Sequence, residues 1–138
     1  MIVKILNKLM EYSDKYFVVR NDINLPMPGY AFMDIDINHR FIPTVLLNPN
    51  RFPQDENVIA HILSHEWGHH VLGHIKIPGH IDEKILKDKV DNDRKEDEAD
   101  AYAAGFIKEY FYKKQPIMEY LKSLSPNYNN RIEILNSI

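Results

Sequence analysis

The segment 54–72 constrains the fold of this 138-residue chain more than any other part of it. Pro53 breaks the chain just before the segment, and Gly73 follows directly after it. Glycine tolerates the left-handed conformation that closes many helices, so this segment is predicted to be one long helix. Two histidines, His65 and His69, lie one turn apart on it.

Hydrophobic periodicity divides the rest of the chain into a strand-rich half and a helical half. The first ten to fourteen residues have apolar side chains at helical spacing, whereas Met33, Ile35 and Ile37 alternate with aspartates as in a half-exposed strand. We predict strands at 16–20, 33–37 and 41–47, a charged connector at 74–95 with a short helix near 82–90, and helices at 94–112, near 116 and after Ser125-Pro126. This order predicts an α+β fold, in one domain of residues 1–138, with a small antiparallel or mixed sheet packed on the long helix.

The predicted strand 41–47 contains Pro43, which cannot donate a backbone hydrogen bond to a neighbouring strand. An edge strand tolerates such a residue, and so does a strand that is paired on only one side at that point. We expect this strand to be an exposed edge, along which an extended peptide could lie as an added strand.

Composition limits the classes of partner. The formal net charge is −3, which gives no reason to expect nucleic acid or an acidic membrane surface as a partner. The chain has no cysteine, and this favours a reducing compartment. No uncharged apolar stretch approaches the length that spans a bilayer. We therefore expect a soluble, cytoplasmic protein.

His65, Glu66 and His69 form a His-Glu-x-x-His motif on the long helix. Each helical residue advances by about 100°, so the two histidines are about 40° apart and can bind one metal ion through their imidazole nitrogens. Glu66 is about 60° from His69, close to such an ion but poorly placed to be a ligand on the same side. These positions suit a zinc ion with two histidine ligands and a general base.

A zinc site of this kind takes a third protein ligand and leaves a fourth position for water. His74 and His80 are poor candidates on spacing, although a loop could redirect either one. Glu96 is the stronger candidate because it shares a helix face with Asp100, four residues later. One carboxylate could bind zinc while the other accepts the second ring N–H of a metal-bound histidine. We assign the first role to Glu96 and the second to Asp100.

The two motifs together, His65-Glu66-x-x-His69 and Glu96-x-x-Ala99-Asp100, resemble those of the gluzincin metallopeptidases. Residues 47–74 and 96–104 are similar to the ImmA/IrrE-like peptidases of bacteria and their mobile elements. Residues 125–135 instead resemble the HtpX-like catalytic core and the soluble minigluzincins, although the membrane helices of HtpX-like enzymes are absent here. The resemblance implies a minimal zincin-like fold and endopeptidase activity on a protein or peptide. For the first branch it also implies a regulatory substrate, such as a repressor.

The motif predicts a mechanism in which zinc lowers the pKa of its bound water, and Glu66 moves a proton from that water to the leaving amine. A second group besides zinc must stabilise the developing oxyanion. The candidates for that role are Tyr102, Tyr110, Tyr112, His80 and Arg131.

Three other residues near the motif carry separate predictions. Trp67 should be a core anchor, and His70 should face away from the metal, about 140° from His65. His61 either lines the cleft or is a hydrogen-bonded structural histidine.

The competing hypothesis is a latent or inactive zinc-stabilised interaction module. Glu66 argues against it, because a module that only binds does not need a general base. A deformylase-type hydrolase would take a cysteine ligand, and the chain has none. A metal-free helical interaction domain would leave the coincidence of the two motifs unexplained.

Overall fold

The computed structural model describes residues 1–75, 89–124 and 129–137. Within them a helix and three strands come first, and the rest is helical. The elements are α1 (Ile2–Ser13), β1 (Val18–Asn21), β2 (Gly29–Ile35), β3 (Phe41–Leu47), α2 (Glu56–Val71), α3 (Lys89–Glu109), α4 (Lys114–Leu124) and α5 (Asn129–Asn136). The predicted α+β class is therefore confirmed.

Helix α2 has a defined cap at each end. At its start the Asp55 carboxylate accepts hydrogen bonds from the backbone N–H groups of Asn57 and the next residue, at 2.8 and 3.2 Å. At its end Gly73 has φ 72°, as expected of a helix-closing glycine. The backbone N–H of His74 then donates to the carbonyl of His69 at 2.9 Å. The helix thus starts two residues later than predicted and stops at the predicted glycine.

The sheet has the strand order β1-β3-β2, with β1 parallel to β3 and β2 antiparallel to it. The expectation that β3 is an exposed edge is therefore wrong, because β3 is the central strand. Pro43 is tolerated because β1 pairs with β3 only from Thr44 to Leu47, so Pro43 has a strand partner on one side, Met33 of β2. Within the described residues, the free edges of the sheet belong to β1 and β2.

The helices of the C-terminal half differ from the prediction mainly at their ends. Helix α3 begins before the predicted residue 94 and ends before 112, and α4 begins two residues before Pro116. Residues 82–88 of the predicted connector helix lie outside the described residues, as do Ser125 and Pro126. Nowhere in residues 1–75, 89–124 and 129–137 is a helix both long enough and apolar enough to cross a membrane.

One hydrophobic cluster joins α1, β3 and the four later helices. Trp67 of α2 lies at its centre with no exposed surface, and its indole N–H donates to the Ser13 hydroxyl at 3.0 Å. Ile5 and Leu9 of α1 are also fully buried. The prediction that Trp67 is a core anchor is confirmed, and α2 is the helix on which the other elements pack.

Candidate metal centre

Helices α2 and α3 pack closely because small residues line their contact. Ala99 and Ala103 of α3 are fully buried. A Cβ added to Gly68 of α2 would lie only 2.8 Å from Cδ1 of Tyr102, so glycine is required there. This close approach brings the acidic face of α3 against the histidine face of α2.

Three predicted ligands, His65, His69 and Glu96, meet at this contact. The Nε2 atoms of His65 and His69 are 3.2 Å apart. Glu96 lies against both, with Oε2 at 3.0 Å from Nε2 of His65 and Oε1 at 3.1 Å from Nε2 of His69. The donor atoms all lie within 4.8 Å of one another. With zinc–ligand bonds of about 2.0–2.1 Å, the donors of a tetrahedral site are about 3.3 Å apart, so this group fits a zinc ion.

The second ring nitrogen of each histidine also has a partner. Nδ1 of His65 lies 2.8 Å from Oδ1 of Asp100, which is 2% exposed. Arg131 donates through Nε to both oxygens of this carboxylate at 3.0 Å. Nδ1 of His69 lies 3.0 Å from Nδ1 of His74. Because an ionised carboxylate only accepts hydrogen bonds, Nδ1 of His65 carries a proton and Nε2 faces the other donors.

The charges of the group depend on one another. Burial disfavours the charged form of His65, but hydrogen bonds to Asp100 and Glu96 outweigh it and raise the pKa of His65 to about 9. Burial raises the pKa of Glu96. Hydrogen bonds from His65 and His69 outweigh it and hold the pKa of that carboxyl well below its usual range. The site therefore favours positive charge between its carboxylates, which protons or a metal ion that displaces them can provide.

Glu66 lies beside the three donors and is not one of them. Its Oε1 atom is 3.9 Å from Nε2 of His65, and its side chain is 14% exposed. Burial raises the pKa of Glu66, although the nearby His65 and His69 act in the opposite direction. A half-buried carboxylate at the edge of a donor group has the position of a general base.

An open cleft runs along the site between α2 and the start of β2. It consists of a cavity of about 250 Å³ and a second of about 330 Å³, and both are lined by Met27, Gly29, Glu66 and Glu96. A Cβ on Gly29 would lie 3.1 Å from Cγ of Glu66 and 3.2 Å from Cγ2 of Ile62. The strand therefore approaches the helix closely beside the candidate base. In the sequence, Gly29 follows Pro26 and Pro28, a pattern that predicts only a loop, so its place in the site was not predicted.

Among the candidate oxyanion stabilisers that the structure describes, Arg131 lines the first cavity. Tyr102, Tyr110 and Tyr112 pack instead with aromatic and lysine side chains of α1. His80 lies outside the described residues.

The remaining histidines have separate surroundings. His61 is 2% exposed and lines the first cavity, and its Nδ1 has no hydrogen-bond partner among the described residues. Burial, with the charge of Arg131, lowers the pKa of His61 to about 3. Nε2 of His70 lies 2.8 Å from the carbonyl of Thr44, so His70 faces the sheet. The prediction was only that it faces away from the metal, and the ring does so. His74 is not one of the three grouped donors, but the turn after α2 brings its ring against that of His69.

Comparisons with protein-family models, with curated proteins and with solved structures found no match to this chain. The chemistry of the site is therefore inferred from the positions and surroundings of its side chains.

Proposed function

We propose that this chain is a zinc-dependent endopeptidase, with His65, His69 and Glu96 as zinc ligands and Glu66 as general base. The observation that carries the proposal is the convergence of two imidazole nitrogens and one carboxylate at the floor of a cleft, with Glu66 beside them. Structural zinc sites are closed by four protein ligands, whereas catalytic sites use three and keep one position open. The described residues supply three, which supports a catalytic site.

The proposed reaction is hydrolysis of a peptide bond by water. When bound, zinc acidifies a water molecule and polarises the carbonyl of the substrate. Glu66, beside the three donors, accepts the proton of the attacking water and delivers it to the leaving nitrogen. Asp100 holds the ring of His65 in the orientation that presents Nε2 to the cleft.

The proposed substrate is an extended segment of a protein. The outer edge of β2 begins at Gly29, beside Glu66, and an extended peptide can pair with such an edge through main-chain hydrogen bonds. This strand replaces β3 as the candidate edge, because β3 is paired on both sides from Thr44 to Leu47. The resemblance to ImmA/IrrE-like peptidases favours a regulatory protein as the substrate, and the lack of cysteine favours the cytoplasm as the place of action.

The test compares the wild type with Glu66→Gln and with Glu56→Gln, a control on the first turn of the same helix. Bound zinc is measured by elemental analysis, and cleavage is measured on an unstructured peptide library. We expect one zinc per chain in all three proteins. Loss of the base should lower kcat by about 10²–10⁴-fold in Glu66→Gln, and the control should retain it.

The same experiment separates the proposal from its alternative. Stoichiometric zinc with no cleavage by the wild type would favour the latent or inactive zinc-stabilised interaction module. Equal activity of Glu66→Gln and the wild type would remove the assigned base. A wild type that binds no zinc would exclude both functions.

A further inference from the structure

The chain reverses direction directly after α2 and returns His74 to the metal centre. Gly73 takes the left-handed conformation, and its N–H donates to the carbonyl of His70 at 3.1 Å. The backbone N–H of His74 reaches the carbonyl of His69 at 2.9 Å. These two bonds form a Schellman motif, in which the residue after the glycine contacts the last turn of the helix. Here that contact joins two imidazoles, whose ring centroids are 5.2 Å apart.

We propose that His74 is a positioning residue that holds His69 in the tautomer and orientation that a zinc ligand needs. The proposal rests on the zinc site proposed above. A histidine that binds metal through Nε2 carries its proton on Nδ1 and needs an acceptor for it. The Nδ1 atom of His74 lies 3.0 Å from the Nδ1 atom of His69 and is the acceptor in this position.

The same hydrogen bond fixes the state of His74. If Nδ1 accepts, the ring is neutral and its proton is on Nε2. That atom is buried and has no hydrogen-bond partner in the described part of the chain, and Oε2 of Glu98 is 3.6 Å away. Glu98 in turn accepts a hydrogen bond from Arg94. The inferred order is therefore His69 donating to His74, with His74 directing its remaining proton towards Glu98.

Two other roles for His74 fit the geometry less well. As a fourth ligand it would have to approach the Nε2 side of His69, whereas it contacts the Nδ1 side. As a helix cap it would not need its ring, because the backbone N–H alone reaches the carbonyl of His69. Many helices place an apolar side chain at this position, where packing alone is needed. His74 differs from such a residue in its ring nitrogens, so its hydrogen bond rather than its packing is the feature to explain.

The test measures the zinc dissociation constant, by competition with a chelator, for His74→Ala, His74→Asn and His70→Ala. The asparagine oxygen can take the place of Nδ1, whereas alanine offers no acceptor. Loss of an outer hydrogen-bond partner weakens metal affinity by about 10–100-fold, which we expect for alanine, with asparagine restoring most of it. His70→Ala is the matched control because His70 bonds to the sheet carbonyl of Thr44. Its zinc affinity should stay close to that of the wild type.

A second measurement uses the wild type alone, so it remains valid if a variant folds poorly. In ¹⁵N–¹H spectra of the zinc-loaded wild type, we expect a protected Nδ1–H signal from His69. The proposal is overturned if this proton is absent, if alanine binds zinc as tightly as the wild type, or if asparagine is no better than alanine. A wild type that binds zinc without cleaving peptides would refute the endopeptidase and leave the role of His74 to be decided by these affinities. A wild type that binds no zinc would refute both.

Discussion

The two sides of α2 differ in how tightly their neighbours pack. Towards α3, Gly68 has no room for a methyl group, and Asp100 is buried with hydrogen bonds to its carboxylate. Towards β2, the helix faces an open cleft in which the Glu96 side chain is 57% exposed and Met27 is 37% exposed. The difference suggests a division of labour, in which the packed side positions the metal donors and the open side is left for a substrate.

If this division holds, substitutions on the α3 side will change zinc affinity. Those on the β2 side will change turnover while zinc affinity stays constant. Four substitutions, at Glu96, Asp100, Gly68 and Gly29, test that separation.

The largest effect is expected for Glu96→Ala, which removes a proposed ligand. The carboxylate contacts both histidines, so zinc affinity should fall by more than about 100-fold, beyond the range for losing an outer partner. Glu98→Ala, two residues along the same helix, is the matched control and should change affinity by less than about tenfold. Chelator competition measures both. Equal losses in the two variants would contradict the assigned register of α3.

A smaller effect is expected for Asp100→Asn. The amide can still accept from Nδ1 of His65, but the negative charge that pairs with Arg131 is lost. We expect zinc affinity to fall by about 10–100-fold and the melting temperature to drop. Asp97→Asn is the control, because Asp97 is exposed and its hydrogen bond is to Asn130. Unchanged zinc affinity in Asp100→Asn would show that the orientation of His65 does not depend on this carboxylate.

Sequence alone predicted the parts of the molecule that depend on local spacing. The helix turn that separates His65 from His69 follows from helical geometry. The pairing of Glu96 with Asp100 follows in the same way, and Gly73 ends α2 because of its own backbone preference. These features need no knowledge of the remaining chain.

Three features that do not follow from helix or strand spacing were missed. Pro43 is compatible with an edge or with one-sided pairing, and only the length of β1 determines which applies. The position of His74 could not be obtained from helical angles, because the left-handed turn at Gly73 redirects it. Gly29 reads as a loop residue until β2 is placed against Glu66. In each case the deciding contact joins residues that no sequence period relates.

The contact between α2 and α3 can be tested by Gly68→Ala. The added Cβ would lie 2.8 Å from Cδ1 of Tyr102 and 3.1 Å from its Cβ, so α3 must shift. Overpacking of this kind costs about 1–3 kcal/mol, which should exceed the gain of up to about 1 kcal/mol in helix propensity. Gly105→Ala is the matched control on α3, since its Cβ would meet the movable hydroxyl of Tyr12. Urea unfolding should show Gly68→Ala as the less stable variant, and the reverse order would refute the tight contact.

The smallest effect is expected for Gly29→Ala, which tests the open side without touching a donor. The new methyl group would lie 3.1 Å from Cγ of Glu66 and 3.2 Å from Cγ2 of Ile62, so these side chains must move by a few tenths of an ångström. Since a misplacement of about 1 Å can cost about 10²-fold in rate, we expect kcat to fall by roughly 3–10-fold. Zinc affinity should not change, because Glu66 is not a ligand. Pro28→Ala, on the same cleft wall, is the control for a change at the rim. A loss of zinc affinity in Gly29→Ala would mean that the two sides of α2 are coupled, and the proposed division of labour would then fail.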